Sequence, residues 1–218
     1  MPLSNETITK ALEELKGKTT KRKFNQAIEM QVKLRDIDLK KPEQRIQEMV
    51  ELPDPADKNV KVAVIAGGDL ATRAREAGAD LVIGKDVLDK IGKEKKEARK
   101  IANGYDYFVA EAPLMPTVGR SLGQILGPRG KMPLPVPPTA PIGDVIKRQR
   151  RNVRIRMKDQ PVLQCKIGTE DMPTDAIVRN IQAVLARIEA KAEKGPKNIS
   201  WVRLKASMGP PVKISYRE

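Results

Sequence analysis

Apolar and polar positions repeat in two different ways along this chain, and the change of pattern divides it. Ile8, Ala11, Leu12 and Leu15 recur at helical spacing, which predicts a first helix with Gly17 as its stop. Ile28, Met30, Val32 and Leu34 then alternate with Glu29, Gln31, Lys33 and Arg35. That period of two predicts a strand with one buried face. The apolar stretch from Ile46 to Leu52 fits either a helix or a strand. Leu52-Pro53-Asp54-Pro55 ends it and predicts a linker.

The middle of the chain changes character. Val60-Lys61-Val62-Ala63-Val64-Ile65-Ala66 is almost continuously apolar before Gly67-Gly68, as in a strand buried on both faces. The pattern then predicts a helix through Leu70, Ala74 and Ala77, and a short strand at Leu81-Val82-Ile83. A charged helix follows from Lys85 to Ala102, and a strand at Tyr107-Phe108-Val109. Helices are predicted over Val118, Leu122 and Ile125, and from Ile142 to Arg150. Strands alternating with helices through short connections imply a parallel sheet wrapped by helices.

Beyond residue 153 the first style returns. Val153 and Ile155 alternate with Arg154 and Arg156, and Val162, Gln164 and Lys166 offer another strand. Pro173 suits a first helical turn, and Ile177, Ile181, Val184, Leu185 and Ile188 form one apolar stripe after it. Two last strands, Ile199–Ala206 and Val212–Tyr216, flank Ser207-Met208-Gly209-Pro210-Pro211. The expected fold is α/β with two domains. A discontinuous α+β sheet-and-helix domain comes from residues 1–58 and 154–218, and residues 59–153 form an inserted Rossmann-like parallel α/β domain.

Composition narrows the chemistry. The chain has no histidine and one cysteine, Cys165. An imidazole base, a His-ligated zinc site, a cysteine cluster and an internal disulfide are all excluded. No cofactor, metal or catalytic residue is expected, and the chain reads as a non-enzyme. No apolar run approaches the roughly 20 residues that span a bilayer, and Met1–Glu6 lacks the pattern of a secretory signal. The expected setting is cytoplasmic, with no membrane partner.

Charge points to the partner. The net charge is +14 from 42 basic and 28 acidic residues. Residues 59–146 hold 13 and 10 of these, and the two flanks together hold 29 and 18, so most of the excess lies outside the middle. Such a surface favours a polyanion, because neutralising phosphates releases condensed counterions. The densest run, from Lys147 to Lys158, has seven cations and no acid. It fits phosphate contact, with a solvated helix face and strand edge as the alternative. A second basic group, Lys18, Lys21, Arg22 and Lys23, leads into Phe24, which taken alone is more often a core residue than a stacking platform. A third surrounds Ser207-Met208-Gly209-Pro210, which on spacing alone is a β-turn. Only six aromatic residues exist in the chain, too few for an RNA recognition motif.

Val118–Pro133 is rich in glycine, yet Ile125 stands where a phosphate-binding P-loop needs its first glycine and Met132 where it needs a hydroxyl. Gly67-Gly68 likewise lacks the dinucleotide spacing. Within that segment, Leu122-Gly123-Gln124-Ile125-Leu126-Gly127-Pro128-Arg129-Gly130-Lys131-Met132-Pro133 closely resembles the signature of the ribosomal protein L-one family, the first protein of the large ribosomal subunit. Lys23-Phe24 before the first strand, Gly168 in a turn after Lys166, and Ser207-Met208-Gly209-Pro210 sit where that family has them. The resemblance covers essentially the whole chain. Its length and the proline-rich Leu134–Pro138 look archaeal.

The resemblance implies a discontinuous domain that binds large-subunit ribosomal RNA in the lateral stalk. It also implies a role in release of exit-site transfer RNA, and repression of translation through the protein's own messenger RNA. The protein would be a monomer off the ribosome. By the same resemblance the RNA contacts fall on Lys23, Phe24, Glu29, Gln164, Gly168, Ser207, Met208 and Gly209. Gln164 and Ser207 differ from the residues of some bacterial members. The signature glycines are read as serving turns and close packing. An enzyme built on the parallel domain and a general basic chaperone or DNA-compacting protein are the competing classes; structured RNA binding that survives raised salt separates both from the leading one.

Overall fold

The computed structural model of the chain describes residues 4–41 and 44–214. In chain order the elements begin α1 (Asn5–Lys18), β1 (Ala27–Leu34), β2 (Gln47–Glu51), β3 (Val62–Ile65), α2 (Gly68–Glu76), β4 (Leu81–Ile83) and α3 (Lys85–Lys93). Next come α4 (Lys95–Gly104), β5 (Tyr107–Glu111), α5 (Met115–Ser121), α6 (Gly123–Arg129), β6 (Leu134–Val136) and α7 (Ile142–Arg151). The chain closes with β7 (Asn152–Arg156), β8 (Val162–Thr169), α8 (Thr174–Lys191), β9 (Ile199–Ala206) and β10 (Val212–Ile214). Two compact units result, Met1–Asp57 with Arg151–Glu218, and Lys58–Arg150. The second crossing thus falls three residues earlier than the pattern suggested, because Asn152 and Val153 already pair with β2.

The first unit is a four-stranded antiparallel sheet, ordered β10-β9-β1-β8, beside a two-stranded ribbon of β2 and β7. The ribbon resolves the ambiguous Ile46–Leu52 stretch as a strand. Alternation does the work in the sheet. Ile28, Met30, Val32 and Leu34 of β1 face one core with Leu163, Cys165 and Ile167 of β8 and Val202 and Leu204 of β9. The strand expected from Val162, Gln164 and Lys166 is present, and these three residues form its outward face. The same core takes Ile8, Leu12 and Leu15 of α1 and the predicted stripe of α8. Each such side chain contributes about 1.5–3 kcal/mol by leaving water.

Gly17 lies inside α1 rather than ending it; the helix stops at Thr19, whose hydroxyl donates to the Leu15 carbonyl at 2.6 Å. The expected last strand is seen over Val212–Ile214, and residues 215–216 of it lie outside the described residues. The expected linker is anchored. Asn180, fully buried on α8, donates to the Asp54 carbonyl at 2.9 Å and accepts from the Asp54 amide at 3.1 Å, and Arg179 pairs with the Asp54 carboxylate at 2.9 Å.

Cys165 sits within this core. Burial pushes its thiol up to about 12, and the nearby Glu29 charge adds to the effect, so it carries no thiolate chemistry at neutral pH.

Glu48 on β2 ties the ribbon to α8 through Arg187 Nε at 2.6 Å and Lys191 Nζ at 2.8 Å. Partial burial raises the pKa of Glu48, but hydrogen bonds from Lys191 and Arg187 outweigh it and hold the group below its ordinary 4.5. A depressed folded-state pKa stabilises above the unfolded value, and that stability is lost as pH falls through the folded value. Glu48→Gln is therefore expected to cost about 0.5–1 kcal/mol at neutral pH. The gap between variant and parent should close in acid, below the ordinary carboxylate range. Urea midpoints at several pH values check this; an undiminished gap in acid contradicts it.

The second unit is a parallel sheet, ordered β4-β3-β5-β6, with α2 and α7 on one face and α3 to α6 on the other. All four residues of β3 are buried, as its apolar run predicts. The strand β6 is one that pattern reading missed, because Pro135 argues against a strand. It pairs with β5 alone, so it is an edge, where a missing N–H is tolerated. The predicted charged helix is two helices meeting at Glu94, and the helix through Val118 and Ile125 is two meeting at Leu122. Among the described residues no helix is long and apolar enough to cross a membrane.

Candidate nucleic-acid interface

Three loops meet at one end of the antiparallel sheet because register brings them there. Ala27 opens β1 opposite Thr169, and Ile28 lies opposite both Gly168 and Ala206. The segment entering β1, the turn leaving β8 and the turn leaving β9 therefore share one end of this sheet. Ser207 extends the pairing: its amide donates to the Ala27 carbonyl at 3.0 Å, and its hydroxyl accepts from the Ala27 amide at 3.2 Å.

A buried amide locks the loops. Gln26 has no exposed surface. Its Nε2 donates to the Thr20 carbonyl at 3.0 Å and to Glu170 Oε2 at 3.3 Å, while its Oε1 accepts from the Met208 amide at 3.2 Å. The Glu170 amide in turn donates to the Gln26 carbonyl at 3.0 Å. Beside it Asn25 Nδ2 donates to Asp171 Oδ2 at 2.6 Å. Gln26 escaped sequence reading; the only hint is a polar amide directly before an alternating strand.

This clamp leaves two large apolar side chains in water. Phe24 is 52% exposed and Met208 is 60% exposed, on adjoining loops. Phe24 is thus not the core residue that an isolated aromatic usually is. Lys21, Arg22 and Lys23 are also exposed, and among the described residues none of the three forms an ion pair. A groove of about 300 Å³ opens beside them, lined by Leu15, Thr19, Lys21, Ile28, Glu170 and Asp171.

The remaining expected residues fall into two groups. Glu29 and Gln164 point from the outward face of the sheet, Glu29 across from Lys166 and Lys205, and Gln164 across from Gln31. Lys166 is itself paired with Asp57. Gly168, Ser207 and Gly209 instead shape the backbone. Gly168 is not in a turn but within β8, at a bulge where Ile28 pairs with it and Glu29 pairs with Lys166. A Cβ there would lie 3.0 Å from Met172 Sδ and 3.2 Å from Ile177 Cγ1, so glycine lets α8 approach the strand. The Gly209 amide closes its turn on the Ala206 carbonyl at 3.1 Å.

The glycine-rich signature has a structural account in its own unit. The segment Val118–Pro133 is mostly helix, the end of α5 and all of α6, with α6 forming most of the signature itself. Gly130 takes the left-handed conformation (φ 68°) that caps α6. Lys131 Nζ then donates to the carbonyls of Ala102 and Tyr105, at 3.0 and 2.6 Å, at the end of α4. Close packing does not explain Gly119, Gly123 and Gly127, since a Cβ on any of them would meet nothing within 4 Å. The basic run from Lys147 to Lys158 is divided. Lys147 and Arg148 are exposed on α7, Arg150 donates to the Gly78 carbonyl at 2.8 Å and the Asp80 carboxylate at 3.2 Å, and Arg154 and Arg156 are on β7. Among the described residues no cluster of side chains suits a metal ion.

Comparison with known proteins identifies the family. The model of the ribosomal protein L1p/L10e family matches residues 15–210. Large ribosomal subunit protein uL1 of Thermofilum pendens is 53% identical over 204 residues, covering 93% of this chain and 90% of that protein. The protein of the same name from Methanothermobacter thermautotrophicus is 46% identical, over 95% of this chain and 98% of its own. That of Pyrococcus horikoshii is 45% identical over 98% of both. The relatives are archaeal, as the length and the proline-rich segment suggested. With the match reaching through both units and across the two loops that Gln26 joins, this chain belongs to the ribosomal protein L1p/L10e family.

Proposed function

We propose that the chain is a structural constituent of the large ribosomal subunit that binds ribosomal RNA of the lateral stalk through its first unit. At the same surface it would bind its own messenger RNA and repress translation, and on the ribosome it would assist release of exit-site transfer RNA. The family is one of ribosomal structural proteins and not of enzymes, and its place is the cytoplasmic large subunit.

One observation carries the reading: Gln26 ties the segment entering β1 to the turn leaving β9, the two loops from which Phe24 and Met208 stand exposed, and among the described residues the neighbouring Lys21 and Lys23 form no ion pair. An apolar pair set in a rigid basic rim costs free energy in water and gains it against the sugar and base edges of a folded RNA. The cations position the phosphates, and the shape of the two loops selects the fold. Rigid loops lose little conformational entropy on binding, which favours affinity.

The experiment is a competition titration with the full chain. A lateral-stalk ribosomal RNA transcript, a transcript of the protein's own messenger leader, and a random duplex of equal length compete at rising salt. The stalk transcript should win by at least 100-fold and keep much of its advantage as salt rises, since shape-dependent contacts are not screened. Equal affinity for all three, falling together with a slope near −0.9 per phosphate, would reduce the protein to a non-specific polycation. Stalk binding without leader binding would remove the repressor role alone.

A further inference from the structure

Beyond the loops lies the outward face of the sheet, of which the expected contacts include only Glu29 and Gln164. The sheet's apolar face is covered by α1 and α8, and the outward face is polar. Register lines that face up in rows across the strands. Lys213 of β10 stands opposite Arg203 of β9, Arg203 opposite Gln31 of β1, and Gln31 opposite Gln164 of β8. The guanidinium of Arg203 lies 4.1 Å above the ring of Trp201, the only tryptophan in the chain. Among the described residues neither Arg203 nor Lys213 nor Lys33 forms an ion pair. Glu29, the one acid among Glu29, Gln31 and Lys33 of β1, lies across from Lys205 and from Lys166, which is itself paired with Asp57; Lys33, Arg203 and Lys213 keep the face positive.

We infer that the RNA-binding surface continues from the loops over this helix-free sheet face, where Arg203, braced on Trp201, and Lys213 contact backbone phosphates. The inference rests on the RNA-binding reading above and extends it to residues that the loops do not include. Three observations favour phosphate as the ligand. The face is continuous with the loop site, since β9 carries Arg203 and Lys205 directly into Ser207 and Met208. Stacking on Trp201 holds a planar guanidinium in place, and a preorganised fork matches the paired oxygens of a phosphate. Neighbouring strands are about 4.8 Å apart, so one row presents cation, cation and two neutral amides across roughly 14 Å. That arrangement suits a nucleic-acid strand crossing the sheet, with the amides reaching sugar and phosphate oxygens.

The test uses the full chain, the lateral-stalk transcript and the double variant Arg203→Gln/Lys213→Gln. Both positions are on the solvent side, and matching circular dichroism should show that the fold is kept. Losing two phosphate contacts should weaken binding about tenfold and reduce the log–log salt slope by about 1.4–1.8, from 0.7–0.9 per phosphate. Lys10→Gln/Lys96→Gln removes the same net charge from α1 and α4 and should leave the slope unchanged. Trp201 fluorescence should change on RNA addition and report the same affinity as the filter assay. A parental slope in the sheet-face variant, or an equal fall in the control pair, overturns the inference. If that occurs while Met208→Asp still weakens binding, only the sheet face is lost. If the parent fails to bind the transcript, the inference and the RNA-binding reading fall together.

Discussion

Gln26→Leu is expected to lower the stability of the first unit by about 1–2 kcal/mol, and to weaken RNA binding along with it. Leucine fills much the same volume, so the loss is not a cavity effect. It comes from the partners left behind. The Met208 amide loses its acceptor, and the Thr20 carbonyl and Glu170 carboxylate lose a donor. Thr20 and Met208 are exposed and Glu170 is half-buried, so water partly satisfies the stranded groups; each costs less than the roughly 1–3 kcal/mol of a fully buried one, and the apolar gain of a buried leucine offsets part of the total. Against a net stability of about 5–15 kcal/mol for a domain, that is a large fraction. Trp201 lies in β9, so its fluorescence follows this unit in a urea titration. An unchanged midpoint would mean that the two loops hold their positions without the clamp.

The sheet strands of the first unit were legible because a period of two survives any tertiary context when one face is buried. Ile28 to Leu34 read correctly for that reason. In β8 the strand was legible from Val162, Gln164 and Lys166, while its buried phase is carried by Leu163, Cys165 and Ile167. Helix breaks at Glu94 and Leu122 carry no proline, so local propensity runs straight through them. In the candidate site, Phe24 and Met208 were reached through family resemblance, while composition alone favoured a core ring and an ordinary turn. Gln26 was out of reach altogether. Its partners lie 144 and 182 residues away at Glu170 and Met208, and only the folded register brings them together. Arg203 and Lys213 were visible as charges, yet their row with Gln31 and Gln164 exists only once β1, β8, β9 and β10 have paired.

Met208→Asp is the other large expected effect. The side chain is mostly in water, and its amide, not its thioether, engages Gln26, so the fold should be untouched. A carboxylate at that position removes an apolar contact and sets a negative charge against RNA phosphates. Like charges across an interface cost several kcal/mol when desolvated and less when water remains. An intermediate loss of about 2.7 kcal/mol corresponds to roughly 100-fold in affinity. Met208→Leu keeps the apolar bulk and should bind nearly as the parent does.

The most direct measurement is therefore a filter-binding titration of the lateral-stalk transcript against the parent, Met208→Leu and Met208→Asp at one fixed salt concentration, with the unfolding midpoint of each recorded. Binding should fall about 100-fold for Met208→Asp alone, with all three midpoints alike. Equal affinity for the aspartate variant and the parent would place the RNA elsewhere on the protein and contradict the paired loops as its binding surface.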